Sequence, residues 1–272
     1  MKKNLLDKVK NFWETESCGE RYVSGDDDYS KFISETNNRY KLEPYILDFT
    51  SSKDFFNKDV LEIGIGMGSD HYRIYKFKPK TLTGIDLTER AIKNTKKRFK
   101  IMKAKSNLKI DNAEKLNFKD ETFDTVYSWG VLHHSADTAK CFEEVQRVLR
   151  PNGVAKIMIY YKYSPIGLML WIRYGLLRAK PFIGFNELYS NYLESPGTKA
   201  FTISQTDKLT QKFKCKNYSI QLCFADLLDG NVGANHKGIF ITIAKLIYPR
   251  FLVKFIAKLF PIGLFLLITL KK

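Results

Sequence analysis

Three glycines at alternate positions form the densest chemical signal in this 272-residue sequence. They lie in the run LEIGIGMGSD, directly after a short apolar segment that begins at Val60. Glycine lets the backbone turn sharply between a strand and a helix, and it lets a ligand approach closely. A carboxylate, Asp86, ends the next apolar segment about twenty residues later, where such a group can bind a ribose diol. The pattern predicts a nucleoside-like ligand at this loop.

The spacing of the glycines argues against two other nucleotide sites. Dinucleotide-binding loops prefer G-x-G-x-x-G, but here the third glycine, Gly68, comes one position early and Ser69 occupies the later place. No Walker lysine motif follows, so a phosphate cradle is also disfavoured. We therefore expect a ligand that has a ribose and lacks a pyrophosphate.

Three histidines are candidate general bases. His133 and His134 follow the apolar segment FDTVYSW, and His236 lies in the polar loop DGNVGANHK. Ligands of open α/β sheets bind where strands end, and a histidine pKa near neutrality suits proton removal. A histidine at such a position is often just a hydrogen-bonded structural residue, so both roles stay open.

The four cysteines form no C-x-x-C pair and have no metal-ligand spacing with the four histidines. The sequence therefore predicts no metal site and a reduced protein. The segment after Met1 is charged throughout and has no apolar run of the length that secretion requires. Together these features predict a cytoplasmic protein.

Four apolar segments alternate with stretches of helical pattern: VLEIGIG, TLTGIDL, FDTVYSW and VAKIMIYY. Strands that alternate with helices predict an α/β fold with a mostly parallel sheet, covered by helices on both faces. We divide the chain into an N-terminal helical cap (1–50), the core (51–162), an aromatic-rich helical lid (163–200), the last strands (201–247) and an apolar basic tail (248–272). The last two strands are predicted in YSIQLCFA and GIFITIAKLI.

Five ordered motifs, VLEIGIGMGSD, GIDLT, NAEKLNF, FDTVYSWGVLHH and EVQRVLRPNG, make the chain resemble the class I S-adenosylmethionine-dependent methyltransferases. Its nearest resemblance is to the branch that acts on quinones, sterols and other small molecules or lipids. The resemblance implies a Rossmann-like, doubly wound sheet of seven strands, with S-adenosylmethionine as methyl donor. Methyl transfer in this family is an in-line displacement, in which the protein mainly aligns the acceptor and excludes water.

The resemblance also implies roles for individual residues. The loop beneath the methionine part would consist of Glu62, Gly64, Ile65, Gly66 and Gly68. Asp86 would bind both ribose hydroxyls, and Leu87 would lie against the adenine. The adenine amino group would meet Asp111, Asn112 and Ala113, with the accepting side chain left open between the first two. Facing the sulfonium would be Ser128, Trp129 and Gly130.

The aromatic residues of the lid favour a small hydrophobic or lipid-linked acceptor, methylated at oxygen or carbon. One alternative is O-methylation of a sugar in a surface glycan. Another is a non-catalytic module that binds S-adenosylmethionine. Nucleic acid is disfavoured, because enzymes that methylate base amines typically carry an Asn/Asp-Pro-Pro-aromatic motif where this chain has the sequence SWGV.

The net charge of +16 comes largely from two acid-free regions, residues 93–105 and 245–272. The second region includes the apolar stretch 251–270, which contains Lys254 and Lys258 and is split by Pro261. An interfacial helix or hairpin on an anionic membrane, at its inner face, fits these features. A C-terminal helix that packs on the domain or on a dimer partner fits them equally well, and the sequence does not predict the oligomeric state.

Overall fold

The computed structural model describes residues 2–20, 23–229, 242 and 245–272. Its centre is a seven-stranded sheet with the order β3-β2-β1-β4-β5-β7-β6. The strands are β1 (Asp59–Ile63), β2 (Thr81–Asp86), β3 (Asn107–Ile110), β4 (Phe123–Trp129), β5 (Leu149–Tyr160), β6 (Cys215–Gln221) and β7 (Phe265–Lys271). β7 runs antiparallel to β5 and β6, and the other strand pairs of the described residues are parallel, which confirms the predicted doubly wound α/β fold with a mostly parallel sheet.

Ten α-helices are present in the described part of the chain. They are α1 (Lys2–Thr15), α2 (Asp28–Leu42), α3 (Tyr45–Phe49), α4 (Ser69–Lys76), α5 (Glu89–Ile101), α6 (Thr138–Val148), α7 (Pro165–Tyr174), α8 (Phe185–Tyr192), α9 (Ile203–Leu209) and α10 (Arg250–Leu259). The first three lie in the predicted cap, and α7 and α8 lie in the predicted lid. Within the described ranges, no helix combines the length and apolar character that crossing a bilayer requires.

Burial on both faces explains the apolar strands. All five residues of β1 are buried, and β4 and the second half of β5 are almost entirely buried. One apolar cluster lies on each face of the sheet, because successive side chains of a strand point to opposite sides. The parallel strands carry their carboxyl ends to one edge, where the glycine loop, Asp86 and the histidine pair lie.

The last strand differs from the predicted one. We expected a strand in residues 238–247, but 245–247 are helical, and 238–241, 243 and 244 lie outside the described residues. The strand is instead β7, within the segment predicted as a tail (248–272), and it pairs with both β5 and β6. The prediction of a separate tail was therefore wrong. A strand inside a sheet needs an apolar run for both faces, and FLLITL supplies one.

Candidate active site

Two adjoining cavities lie at the carboxyl edge of the sheet. One of them, the first cavity, lies beside the loops that follow β1, β2 and β4. Nine of the predicted binding residues line it: Gly64, Gly66, Asp86, Leu87, Asp111, Asn112, Ala113, Trp129 and Gly130. The backbone of Gly64 has a φ of 80°, and a Cβ there would lie 2.1 Å from Cγ2 of Val131. Only glycine fits at this position, so the loop can pass close to the strand edge.

Asp86 is held in place by donors from two loops. Its Oδ2 accepts a hydrogen bond from the Gly66 N–H (3.2 Å), and its Oδ1 accepts bonds from the N–H (3.0 Å) and hydroxyl (2.8 Å) of Thr88. Burial raises the pKa of Asp86, and these three donors oppose that shift. A carboxylate offers about four acceptor positions, and three are in use. One ribose hydroxyl would take the remaining position, and a second would replace the Thr88 hydroxyl.

The other end of the first cavity suits an adenine ring. Leu87 supplies an apolar wall, and Asp111 and Asn112 lie beside it. The Asp111 carboxylate already accepts bonds from two backbone N–H groups and the Asn117 amide, whereas the Asn112 carbonyl accepts one bond, from Glu114 N–H. A carboxylate has about four acceptor positions and an amide carbonyl has two, so Asp111 and Asn112 each keep about one position for an amino group.

Helix α1 forms a wall of the first cavity that the sequence did not predict. Leu6, Val9 and Trp13 line the cavity at spacings of three and four residues, which places them on one helical face. The Glu14 carboxylate accepts hydrogen bonds from the backbone N–H groups of Glu89 and Arg90 at the start of α5. The apolar spacing was visible in the sequence, but the sequence did not show where the helix docks.

Four predicted binding residues do not line the first cavity: Glu62, Ile65, Gly68 and Ser128. The Glu62 carboxylate is buried behind the sheet edge, with Oε2 2.8 Å from Nδ1 of His71. Burial raises the pKa of Glu62 and lowers that of His71 to about 3. Gly68 is the N-cap of α4, and Ser128 donates its hydroxyl to the Ile63 carbonyl. The side chains of Glu62 and Ser128 therefore form hydrogen bonds inside the protein and do not line the first cavity.

A second cavity adjoins the first along Trp13, Cys18, Trp129 and Gly130, which line both. Much of its remaining wall is apolar and comes from the end of β5, the start of β7, the start of α7, the end of α8 and the segment after β6. The apolar residues are Met158, Tyr160, Ile166, Leu193, Cys223, Phe224, Ala225, Leu264 and Phe265. The lid contributes only part of this wall. A ligand here would lie next to the group bound in the first cavity.

Glu43, which sequence reasoning missed, brings a carboxyl group into the second cavity. The residue is 8% exposed, and among the described residues its Oε2 has no hydrogen-bond partner. Arg39 holds the neighbouring turn, with Nη2 2.6 Å from Asp70 and Nη1 3.6 Å from Glu43. Burial raises the pKa of Glu43 from 4.5 to about 7, although Arg39 opposes the shift. A carboxyl group with this pKa can accept a proton at neutral pH.

The histidines take different positions. His134 lines the first cavity, with Nδ1 2.8 Å from the Ser195 hydroxyl and Nε2 3.4 Å from Glu194. Glu194 lines the second cavity and accepts a 2.7 Å hydrogen bond from the Tyr160 hydroxyl. A polar chain therefore connects the two cavities.

His133 lies behind this polar chain, with its ring centroid 3.9 Å from that of Tyr160, and it lines neither cavity. Its burial lowers its pKa well below the usual value. The geometry therefore does not favour His133 as the base. The third predicted candidate, His236, lies outside the described residues.

The raised pKa of Glu43 predicts a pH-dependent stability. The pKa of Glu43 is about 7 in the folded state and 4.5 in the unfolded chain. Between pH 4.5 and pH 7 the folded state therefore keeps a proton that the unfolded chain has released. Glu43 therefore contributes roughly 3 kcal/mol to the free energy of unfolding below about pH 4.5, and this contribution is lost as the pH rises to 7. Urea unfolding of wild type and Glu43→Gln should show this loss only in wild type.

Glu187→Gln, at an exposed glutamate of α8, is the matched control for that measurement. Its stability should follow wild type across the same pH range. Parallel stability curves for wild type and Glu43→Gln would contradict the raised pKa.

Comparison with known proteins agrees with this geometry. Residues 61–157, which contain the glycine loop, Asp86 and the β4 loop, match the family model described as a methyltransferase domain. Residues 61–157 of this chain are therefore a methyltransferase domain. S-adenosylmethionine is the methyl donor of this domain, as the sequence resemblance implied, and the apolar wall, carboxylate and amide of the first cavity fit its adenosine part.

Two curated relatives match this methyltransferase domain over part of their length. A tRNA U34 carboxymethyltransferase of Nautilia profundicola is 33% identical over 142 residues, covering 51% of this chain and 46% of that protein. A fatty-acid O-methyltransferase of Mycolicibacterium smegmatis is 34% identical over 121 residues, covering 44% and 43%. The chain spans less than half the length of these relatives.

A solved structure shows the same fold over nearly the whole chain. The PH0226 protein of Pyrococcus horikoshii OT3 superposes with a TM-score of 0.57, covering 96% of this chain and 98% of that one. The sequence identity is 18%, so the likeness concerns the fold alone.

Proposed function

We propose that the whole protein transfers a methyl group from S-adenosylmethionine to a small hydrophobic or lipid-linked acceptor, at oxygen or carbon. The observation that carries the proposal is the second cavity, which is mostly apolar and adjoins the first at Trp129 and Gly130. Apolar walls with a few polar groups are typical of pockets for such molecules. The bound donor supplies a methyl group that is already strongly electrophilic.

In an in-line methyl displacement the protein orients the donor, aligns the acceptor and excludes water, and residues of this chain can do each of these. Asp86 and the glycine loop orient the donor, and the apolar walls beside Trp129 and Phe265 align the acceptor and exclude water. A hydroxyl acceptor must also lose a proton, and Glu43 is our first choice of base, because it lines the second cavity with a pKa of about 7. His134 is the second choice, through its contact with Glu194.

The relatives support the proposal without fixing the acceptor. The fatty-acid O-methyltransferase favours a lipid-like acceptor, whereas the tRNA carboxymethyltransferase leaves RNA as a competing class. A groove at the start of β2 and β3 is the surface to consider for RNA, because four lysines line it: Lys80, Lys96, Lys100 and Lys105. That edge is opposite the first cavity, so nucleotides bound in this groove would lie away from the methyl donor.

Methyl-labelled S-adenosylmethionine tests the proposal. The purified protein is incubated with a total lipid extract and, separately, with bulk tRNA or a surface-glycan fraction, and the label is followed into each product. We expect label in organic-soluble products, and less transfer by Asp86→Ala when the donor concentration is near the wild-type Kd. Label confined to tRNA or to sugar would overturn the acceptor class, and donor binding without transfer to any fraction would favour the non-catalytic module.

A further inference from the structure

Helix α10 exposes an apolar surface that the fold does not use. None of its ten residues, all within the described part of the chain, is buried. Phe251 is 86% exposed, and Leu252, Phe255 and Leu259 are also exposed. Residues Leu246 and Ile247, just before the helix, are exposed as well. Contiguous exposed apolar groups of this size indicate a contact with another molecule or with a membrane.

The charges of α10 are arranged beside this apolar surface. Arg250, Lys254 and Lys258 recur every four residues and so form one stripe. The exposed apolar side chains Phe251, Phe255 and Leu259 form the adjacent stripe with the same spacing. The remaining side of the helix, with Val253, Ile256 and Ala257, is half-buried. A cationic stripe next to an apolar one is the pattern of a helix that lies in a membrane interface.

The turn after α7 carries a second set of the same residue types. Leu176, Leu177 and Phe182 are exposed, with Phe182 at 99% and Leu177 at 75%. The basic residues Arg178 and Lys180 lie between them. Residues 145–186 contain no aspartate or glutamate, and neither does the sequence after Asp229. Both apolar segments therefore lie in acid-free stretches of the chain.

Both segments are attached at the carboxyl edge of the sheet, where the two cavities lie. Because β7 is antiparallel, its first residue, Phe265, pairs with Tyr160 at the end of β5. The buried carboxylate of Asp226 accepts backbone hydrogen bonds from Ile166 at the start of α7 and from Leu264 just before β7. This carboxylate joins the lid to the chain that follows α10, beside the second cavity.

We propose that α10, assisted by the turn 176–182, binds the surface of an anionic lipid bilayer and holds the second cavity toward it. The charge pattern selects this occupant, because anionic headgroups attract each lysine near the surface by about 1 kcal/mol. A mixed apolar and cationic face also suits headgroups and acyl chains together. The binding itself does not depend on which acceptor is methylated, so it is tested separately from the proposed function.

Flotation of the purified full chain with vesicles tests the proposal. We compare phosphatidylcholine vesicles with vesicles that also contain phosphatidylglycerol. Wild type should float with the anionic vesicles and less with the neutral ones, and added salt should weaken the binding. Phe251→Ser/Phe255→Ser should lower the partition coefficient about tenfold or more, because two apolar groups no longer insert. Lys254→Gln/Lys258→Gln should lower it roughly 30-fold on anionic vesicles only.

Two matched controls lie elsewhere on the chain. Phe56→Ser removes a 61% exposed aromatic residue just before β1, at the opposite edge of the sheet. Lys96→Gln/Lys100→Gln removes two exposed lysines of α5 at the same four-residue spacing. Neither control should change flotation, and all variants should bind S-adenosylmethionine as wild type does.

Three results would overturn the proposal. Equal flotation of wild type with neutral and anionic vesicles would remove the electrostatic attraction. Losses as large in the controls as in the α10 variants would mean that α10 is not the binding surface. A wild-type dimer that does not float, and that Phe251→Ser/Phe255→Ser converts to a monomer, would assign the face to a second copy of the chain.

Discussion

Replacing Asp86 with alanine is expected to weaken the binding of S-adenosylmethionine by about 1 to 3 kcal/mol, roughly 5- to 150-fold in Kd. The substitution removes the carboxylate that we propose as the acceptor for the ribose hydroxyls. It also removes the partner of the Gly66 and Thr88 N–H groups, which hold the two loops together. Isothermal titration calorimetry with S-adenosylmethionine and with its demethylated product measures the effect.

The control for this prediction is Asp120→Ala, which removes an exposed carboxylate that pairs with Arg147 away from the first cavity. It should leave both affinities unchanged. Because the ribose is common to donor and product, Asp86→Ala should weaken the two ligands equally. An affinity of Asp86→Ala within twofold of wild type would show that the ribose lies elsewhere.

Gly64→Ala is expected to be the more damaging change. The new Cβ would overlap Val131 at 2.1 Å, and the backbone φ of 80° is strained for any residue other than glycine. Overpacking and strain of this kind cost about 2 to 5 kcal/mol together. We expect a lower free energy of unfolding and loss of measurable donor binding, followed by chemical denaturation and calorimetry.

A second substitution separates the two causes. Val131→Ala opens space for the Cβ and leaves the backbone strain, so Gly64→Ala/Val131→Ala should recover part of the lost stability. Gly184→Ala is the matched control, because a Cβ there meets no atom within 4 Å and its φ of −77° suits any residue. No recovery in the double variant would show that the contact with Val131 is not the cause.

The core of the site could be predicted from the sequence, because local rules determine it. A glycine with positive φ and a carboxylate at a strand end leave visible residue patterns, and parallel strands bring those ends together. The sheet was predicted for the same reason. Whether a residue near a strand end faces the cavity was harder to predict: Glu62 and Ser128 have the expected positions in β1 and β4, but their side chains bond to His71 and to the Ile63 carbonyl and do not line the first cavity.

The tail shows why local patterns can mislead. Residues 251–270 are nearly all apolar, which suits a membrane segment, a packed helix or a buried strand alike. Pro261 and Gly263 divide the stretch into an exposed helix and a strand inside the sheet. The choice depends on the partners β5 and β6, which lie far away in the sequence, and no local rule contains that information.

Glu43 and α1 were missed for a related reason. A glutamate near the end of a helix is ordinarily a solvated side chain, and nothing beside Glu43 in the sequence marks it as buried. Its environment comes from Arg39, Trp129 and the second cavity, which tertiary packing creates. The helical pattern of residues 1–50 placed Trp13 in the N-terminal helical cap. Its contact with both cavities follows from how α1 docks on α5, which the sequence does not show.

The position of β7 also bears on how the chain folds. In the described residues β6 pairs only with β7, and β7 pairs with β6 and β5 across long separations in the sequence. The β6–β7 pairing closes the chain between Gln221 and Phe265, and the β5–β7 pairing closes the longer span between Tyr160 and Phe265. Each closure carries an entropic cost before any contact compensates for it. The parallel half of the sheet, from β1 to β5, has shorter connections. We therefore expect the contacts that build one side of the second cavity, at Phe265, to form late in folding.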